Sequence, residues 1–265
     1  MRITHDFHIH TNLSSCAKET ATVAYYVDMA RKLGLQKIGF TDHFWDDKIP
    51  GADKEYHSQN LAHILQLKPF LEKMKTVDIQ LYFGAESEYD PIRRDIAITE
   101  ESAEQLDFLI VPTSHTHKTM PKAYFLDQSK TIDFLVQAYE DVLNSSLSRY
   151  ITAMAHPFEP LGCPNGWQPV MSGIPADTYR RLFDKTAEKG IAVEINTSCF
   201  QKGTDTIDDR GVKMKMLKIA KECGCKFTFG SDSHDDKKHA VYNQNNALIV
   251  EFLSLKENDI AVIAR

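Results

Sequence analysis

The feature that most constrains the fold is the regular alternation of strand-like and helix-like segments along the whole chain. Apolar runs such as KIGF, LDFLIVP and IAVEI are separated by longer segments whose apolar residues recur at helical spacing. Strands that alternate with helices in this way are typical of βαβ units, which build parallel sheets. Seven such strands can be counted, so the sequence predicts an α/β fold in which parallel strands form a barrel.

Nearly every predicted strand ends in a histidine or an acidic residue. In the first strand, DFHIH, side chains alternate between faces with a period of two, so His8 and His10 project from the same face. Alone, this pair could be two polar residues on the wet face of an edge strand. Repetition at the later strands disfavours that interpretation, because the C-terminal rim of a parallel barrel is where active sites assemble. The sequence therefore predicts that residues far apart in the chain converge there on metal ions.

Helices are predicted near residues 22–33, 59–75, 92–105, 129–144, 176–189 and 211–222. The segment 158–175 is rich in proline and glycine and is long enough to cover a site. The run NALIVEFL is predicted to be one more strand, followed by a closing helix.

Composition narrows the class of protein. The chain has 265 residues, of which 42% are hydrophobic and 26% charged, and this suits a single domain over residues 1–265. A net charge of −6 without a long basic run disfavours binding to long nucleic acid. No apolar run has the length of a membrane span, and the start lacks the apolar core of a signal peptide, so we expect a cytoplasmic protein. Five scattered cysteines argue against a disulfide framework.

Six short motifs follow one another at the strand tips: HIH, TDH, GAE, SH, AHP and SDSH. In this order they resemble the PHP (polymerase and histidinol phosphatase) family, and its histidinol-phosphatase-like branch in particular. The resemblance spans residues 6–234. It implies a distorted (βα)7 barrel of the TIM type with a trinuclear metal centre and phosphoesterase activity.

The resemblance also implies a ligand set. His8 and His10 would hold the first metal together with Asp232, and Glu86 would bridge the first and second metals. The second metal would be completed by His115 and His156, and the third would be held by His43 and His234.

The remaining ligand of the third metal is where this chain departs from the family. Relatives usually carry His, Asp or Glu five or six residues after the HIH pair, but here that position is Cys16, followed by Glu19. A thiolate suits zinc and is a poor ligand for magnesium or manganese. Cys16, Glu19 or water could therefore complete the position, or the centre could be dinuclear. The whole donor set suits two to three ions of zinc, manganese or iron.

The expected reaction is hydrolysis of a small phosphomonoester by a hydroxide activated at this di- or trinuclear centre. A protonated group should assist departure of the alkoxide. Asp232 and His234 are candidates by position, and Asp42 and His117 are alternatives. For Asp42, orientation of a metal ligand is favoured over direct catalysis, and Glu194 and Asn196 are expected to shape the pocket.

Cationic residues in the loops after the strands could bind the phosphate, and Lys118, Lys202 and Arg210 are the candidates. Others in such loops are more typical of a solvated surface: Arg93, Arg94, Lys122, Lys237 and Lys238. Histidinol phosphatases typically read NTSGLR after the sixth strand, whereas this chain reads NTSCFQK, with Gln201 where the arginine would stand. That departure puts histidinol phosphate in doubt as the substrate.

Three alternatives remain open. A phosphodiesterase or nuclease acting on nucleotides or short oligonucleotides would keep the chemistry and change the substrate. A non-catalytic module could bind metal for structure or regulation, although the nearly complete ligand set argues against it. An amidohydrolase-type enzyme is disfavoured, because no lysine lies at a suitable strand tip.

Overall fold

A computed structural model describes residues 1–75, 77–164, 166–235, 239 and 241–263. Within these residues, seven parallel strands form the main sheet, and their order in the sheet follows their order in the chain. Their bounds are β1 His5–Ile9, β2 Lys37–Phe40, β4 Gln80–Ser87, β7 Phe108–Pro112, β8 Ala153–Ala155, β9 Ala192–Asn196 and β10 Phe227–Gly230. The short strand β3, His43–Phe44, also pairs with β4. The predicted α/β barrel of seven parallel strands is thus confirmed.

The barrel closes between the first and last strands. Ile9 and Ser233 form a parallel bridge. The backbone N–H of Asp232 donates to the carbonyl of His8 at 2.8 Å, and that of His10 donates to the carbonyl of Ser233 at 2.9 Å. Closure therefore brings the HIH and SDSH motifs side by side on the C-terminal rim.

Helices pack around the sheet, with the bounds α1 Val23–Leu33, α2 Leu61–Ile64, α3 Lys68–Lys73, α4 Glu100–Ala103, α5 Thr116–Thr119, α6 Gln128–Asn144, α7 Gln168–Gly173, α8 Ala176–Glu188, α9 Ser198–Gln201, α10 Val212–Glu222 and α11 Tyr242–Phe252. Helix α1 begins where the Thr22 side chain accepts from the N–H of Tyr25, and it ends at Gly34, whose φ of 64° is left-handed. None of the helices in the described ranges is long and apolar enough to cross a membrane.

The helix predicted over 92–105 is wrong. Here the chain turns back on itself, and β5 (Tyr89–Asp90) pairs antiparallel with β6 (Asp95–Ile96). The Asp90 side chain accepts from the N–H groups of Ile92 and Arg93, which stabilises a turn in place of a helix. Only α4 remains of the predicted helix.

Two other predictions need correction. The helix predicted over 59–75 is broken into α2, a 3-10 turn at Leu65–Leu67 and α3, which begins around a proline. The run NALIVEFL is helical and lies in α11, where Tyr242, Asn246, Ile249 and Val250 are buried at helical spacing. The closing helix is reduced to a 3-10 turn at Glu257–Asp259.

An apolar plug fills the barrel below the rim. Phe7 and Phe108 pack there with Ile110 and small residues of the neighbouring strands. A Cβ on Gly39 or Gly84 would come within 2.4 Å of the Phe108 ring, so both glycines make room for it. The imidazoles and carboxylates of the strand ends lie beyond this apolar layer, at the C-terminal end of the barrel.

Candidate metal centre

Glu86, at the end of β4, is the centre of a cluster of imidazoles and is fully buried. Its Oε1 lies 3.0 Å from His156 Nε2 and 3.4 Å from His8 Nε2. Its Oε2 lies 3.3 Å from His10 Nε2 and 3.0 Å from His43 Nδ1. Burial opposes ionisation, but the charges of His115 and His8 and the hydrogen bonds of His10 and His156 hold the pKa of Glu86 well below its usual range. A bridging carboxylate between two ion positions has this arrangement.

The orientation of His8 follows from Glu194. The Nδ1 of His8 donates to Glu194 Oε1 at 2.6 Å, because a carboxylate can only accept. The other oxygen, Oε2, accepts the backbone N–H of His156 at 2.6 Å. Gly230 permits this close packing, since a Cβ there would lie 2.1 Å from Glu194 Oε1 and 2.5 Å from the Cβ of His8.

His10 is oriented by a chain of two hydrogen bonds. The Ser14 hydroxyl donates to Asp42 Oδ1 at 2.7 Å, so its oxygen accepts from His10 Nδ1 at 3.1 Å. Thr11 also donates to Asp42, from its N–H and from its hydroxyl, at 2.6 and 2.7 Å. The buried Asp42 carboxylate thus orients the loop that holds His10.

His115 is a fifth imidazole that faces Glu86, and both it and His156 are oriented by partners of their own. His115 Nδ1 donates to Glu88 Oε1 at 2.7 Å, which leaves Nε2 at 3.7 Å from Glu86 Oε1. His156 Nδ1 pairs with the Ser114 hydroxyl at 2.5 Å.

The arrangement of these imidazoles and of Glu86 suits bound cations. With Nδ1–H donated to Glu194 and Ser14, the Nε2 lone pairs of His8 and His10 face each other at 3.0 Å. Only a cation, either a proton or a metal ion, makes this approach favourable. The buried Glu86 Oε2 makes no well-aligned hydrogen bond within the described part of the chain, although His43 Nδ1 and His10 Nε2 lie 3.0 and 3.3 Å away. Partners that fix the Nδ1 proton of a histidine are typical of metal ligands.

Asp232 closes the cluster from the β10 side. Its Oδ1 lies 3.6 Å from His8 Nε2 and 3.5 Å from His10 Nε2. Asp232 and His156 have positive φ values of 51° and 25°, a region that non-glycine residues rarely adopt. Backbone strain of this kind concentrates at functional sites.

The outer side of the cluster contains Cys16, His43 and His234. The rings of His43 and His234 lie 4.4 and 4.0 Å from that of His10, measured between centroids. Burial opposes ionisation of the Cys16 thiol, but hydrogen bonds with His234 and His43 outweigh it and lower its pKa to about 6. Glu19 is exposed and does not line the cavity of about 170 Å³ that opens onto this side.

Comparison with known proteins places this geometry in a family. The sequence profile of the PHP domain matches residues 6–198. The chain belongs to the PHP domain family. Proteins named as probable phosphatases match the PHP chain at low identity. One from Proteus mirabilis is 27% identical over 234 residues, which cover 86% of this chain and 78% of the relative. One from Thermoanaerobacter sp. is 26% identical, with 88% and 80% covered.

Solved structures share the PHP fold. A histidinol phosphate phosphatase from Lactococcus lactis, complexed with zinc, L-histidinol and phosphate, superposes with a TM-score of 0.62 at 19% identity, covering 94% of this chain and 93% of the other. A candidate histidinol phosphatase from Listeria monocytogenes has a TM-score of 0.65 at 15% identity, covering 89% and 98%.

The structure brings together at one rim the residues predicted to bind metal: His8, His10, Cys16, His43, Glu86, His115, His156, Asp232 and His234. The other residues predicted for catalysis or substrate binding lie in different places. His117 and Lys118 line the cavity with His234 and Asp232. Lys202 is exposed on the turn after α9, and the exposed Arg210 pairs with Asp208 at 2.5 Å; neither lines that cavity. Lys237 and Lys238 lie outside the described residues.

Sequence reasoning missed several residues of this PHP site. Tyr56 is buried at the cavity wall, with its hydroxyl 3.4 Å from His43 Nδ1. Ser14 and Ser114 orient two histidines, as described above. Nothing local in the sequence marks these two serines as partners of histidines.

Proposed function

We propose that this chain is a metal-dependent phosphoesterase that hydrolyses a small phosphomonoester. The observation that carries the proposal is the convergence of imidazole nitrogens on Glu86, with their Nδ1 protons donated to Glu194, Ser14 and Glu88. The family membership and the phosphatase names of the relatives agree with it.

Two to three ions of zinc, manganese or iron would be held in three groups of ligands. Imidazole and carboxylate donors suit all three metals. The Lactococcus relative, crystallised with zinc, supports a divalent ion of this kind. Bound ions supply the Lewis acidity that lowers the pKa of water and neutralises charge on a phosphoryl group. The groups are His8, His10, Glu86 and Asp232; Glu86, His115 and His156; and His43 and His234 with either Cys16 or Glu19.

The cavity argues for a small anionic substrate. Its volume of about 170 Å³ has room for a phosphoryl group. Lys118 lies in its wall, where Nζ is 3.1 Å from Asp53 Oδ2 and also pairs with Glu55. This ammonium can turn from those acids to a phosphate oxygen. Histidinol phosphate is one member of the class, although Gln201 replaces the arginine typical of its phosphatases.

Asp232 and His234 are the better candidates for the acid that protonates the leaving group. Burial and the like charges of His115 and Lys118 lower the pKa of His117 to about 4. His117 is therefore neutral at pH 7 and is not suited to be this acid. Both oxygens of Asp42 already accept from Thr11 and Ser14.

The proposal is tested by metal analysis and by phosphate release from an aryl phosphate. We expect purified protein to contain two to three equivalents of transition metal. His10→Ala should lower activity more than about 100-fold, since even residues that only orient metal ligands contribute about 10–100-fold. The control is His57→Ala, because His57 is exposed and does not line the cavity. Full activity in His10→Ala would remove the hydrolase assignment.

A panel of substrates then separates the remaining candidates. Sugar phosphates, amino-acid phosphates and histidinol phosphate represent phosphomonoesters, and dinucleotides represent the phosphodiesterase alternative. Turnover of dinucleotides alone would replace the phosphomonoester assignment. A metal-loaded protein inactive on the whole panel would favour the non-catalytic module.

A further inference from the structure

The third ion position differs in chemistry from the other two. The first two are built around Glu86 and Asp232, which offer carboxylate oxygens. Around the third, imidazole nitrogens of His10, His43 and His234 lie within 4.8 Å of one another. Cys16 lines the same cavity as two of these imidazoles, His43 and His234.

The position of the thiol is determined by anchors on both sides of Cys16. On one side, the Ser15 N–H donates to Gln59 Oε1 at 3.3 Å, and Gln59 Nε2 donates to the Ser15 hydroxyl at 3.1 Å. Gln59 is itself buried. On the other side, the Lys18 N–H donates to the carbonyl of His234 at 2.9 Å. The loop therefore ties Cys16 to the same chain segment that carries His234.

Glu19 has no comparable placement. It is exposed, and it is absent from the residues that line the cavity, whereas Cys16, His43 and His234 all line it. Of the two candidate ligands, only Cys16 lines the same cavity as both imidazoles.

We propose that Cys16, His43 and His234 form a thiolate position that selects a thiophilic ion such as zinc over manganese or magnesium, an inference that rests on the proposed metal centre. One sulfur and two nitrogen donors match zinc and cobalt(II), whereas magnesium and manganese favour oxygen. The centre is then chemically mixed: two positions can accept a harder ion while the third keeps zinc.

Cobalt(II) provides a test that does not depend on activity. A cobalt–thiolate bond produces an intense charge-transfer absorption in the near ultraviolet, which nitrogen and oxygen ligands do not produce. Metal-free protein reconstituted with cobalt should show this band, and Cys16→Ser should lose it. Glu19→Gln should keep the band. Cys163→Ser is the matched control and should also keep it, because that half-buried thiol pairs with Thr116 and does not line the cavity.

Metal competition tests the selectivity. After dialysis of the zinc protein against excess manganese, the wild type should retain about one equivalent of zinc per chain, and Cys16→Asp should retain less. A charge-transfer band that persists in Cys16→Ser, or a wild type that binds cobalt without the band, would overturn the inference. Equal zinc retention in the wild type and Cys16→Asp would overturn the selectivity.

The outcome is separable from that of the proposed function. A protein that shows the band but hydrolyses no phosphoester contradicts the phosphoesterase assignment and keeps the thiolate position. An active phosphatase without the band does the reverse. Because Cys16 is exposed, we expect its substitutions to fold, which circular dichroism would check.

Discussion

The two sides of the metal centre are built in different ways. The inner side, which we define as His8, Glu86, His115 and His156, lies on or directly after strands, and its side chains are at most 6% exposed. The outer side, defined as Cys16, His43 and His234, combines the short strand β3, which carries His43, with the loop after β1 and the segment after β10. The His234 side chain is 20% exposed, and its Nδ1 pairs with the backbone carbonyl of Asp232 at 3.0 Å.

The difference lies in what orients each imidazole. On the inner side, His8 and His115 donate to buried carboxylates and His156 pairs with a buried hydroxyl. Glu194 lies on β9, and Glu88 and Ser114 follow the ends of β4 and β7, so the barrel itself determines the geometry. On the outer side, Cys16 and His234 lie in loops. The inner side should therefore tolerate change least, and the outer side should tolerate a change of residue type more readily.

Loss of the bridging carboxylate should have the largest effect. Glu86→Gln keeps the shape of the side chain but removes the charge that faces five histidines. We expect activity to fall about 10³-fold or more, because several kcal/mol of charge stabilisation is at stake and about 1.4 kcal/mol corresponds to tenfold. Phosphate release and metal content would be measured together. An active variant with normal metal content would mean that the inner side does not depend on Glu86.

Loss of an orienting carboxylate should have a smaller effect. Glu194→Gln keeps the volume but weakens the hold on His8 Nδ1, and we expect metal affinity or activity to fall about 10–100-fold. Glu188→Gln, at the exposed end of α8, is the matched control. If the two variants behave alike, the barrel positions His8 without Glu194, and the contrast between the two sides weakens.

A further test of the inner side is the release of a proton from His8 when metal binds. Burial lowers the pKa of His8, but the charges of Glu194, Glu86 and Asp232 outweigh it and raise the pKa well above 6.5. Because the folded metal-free protein then keeps this proton at neutral pH, metal binding must expel it, and affinity should rise with pH through neutrality. His10 contributes no such proton, because burial and the neighbouring His234 and His43 lower its pKa well below 6.5.

Calorimetry in buffers of different ionisation enthalpy would count the protons released. Glu194→Gln should release about one proton fewer than the wild type, since it removes the largest charge contribution to the raised pKa of His8. An unchanged count would show that Glu194 does not determine whether His8 carries this proton.

The same contrast explains what the sequence could predict. The period of two placed His8 and His10 on one face, and the strand ends placed Glu86 and His156 on one rim, because inner ligands follow strand rules. The hydrogen bonds through Ser14 and Gln59 depend on how loops meet after the barrel closes, and no local pattern encodes them. Likewise, NALIVEFL has strand propensity, but packing against the barrel makes it helical.

The smallest expected effect concerns substrate binding at the outer cavity. Lys118→Met keeps an apolar stem of similar length and removes the ammonium that lies near Asp53. If this ammonium turns to the substrate, KM for a phosphomonoester should rise about fivefold, equivalent to ~1 kcal/mol, with kcat little changed. Arg210→Met is the control, since its guanidinium is paired with Asp208 away from the cavity. A fall in kcat with constant KM would instead mean that Lys118 stabilises the transition state. The outer side would then contribute to catalysis together with the inner side.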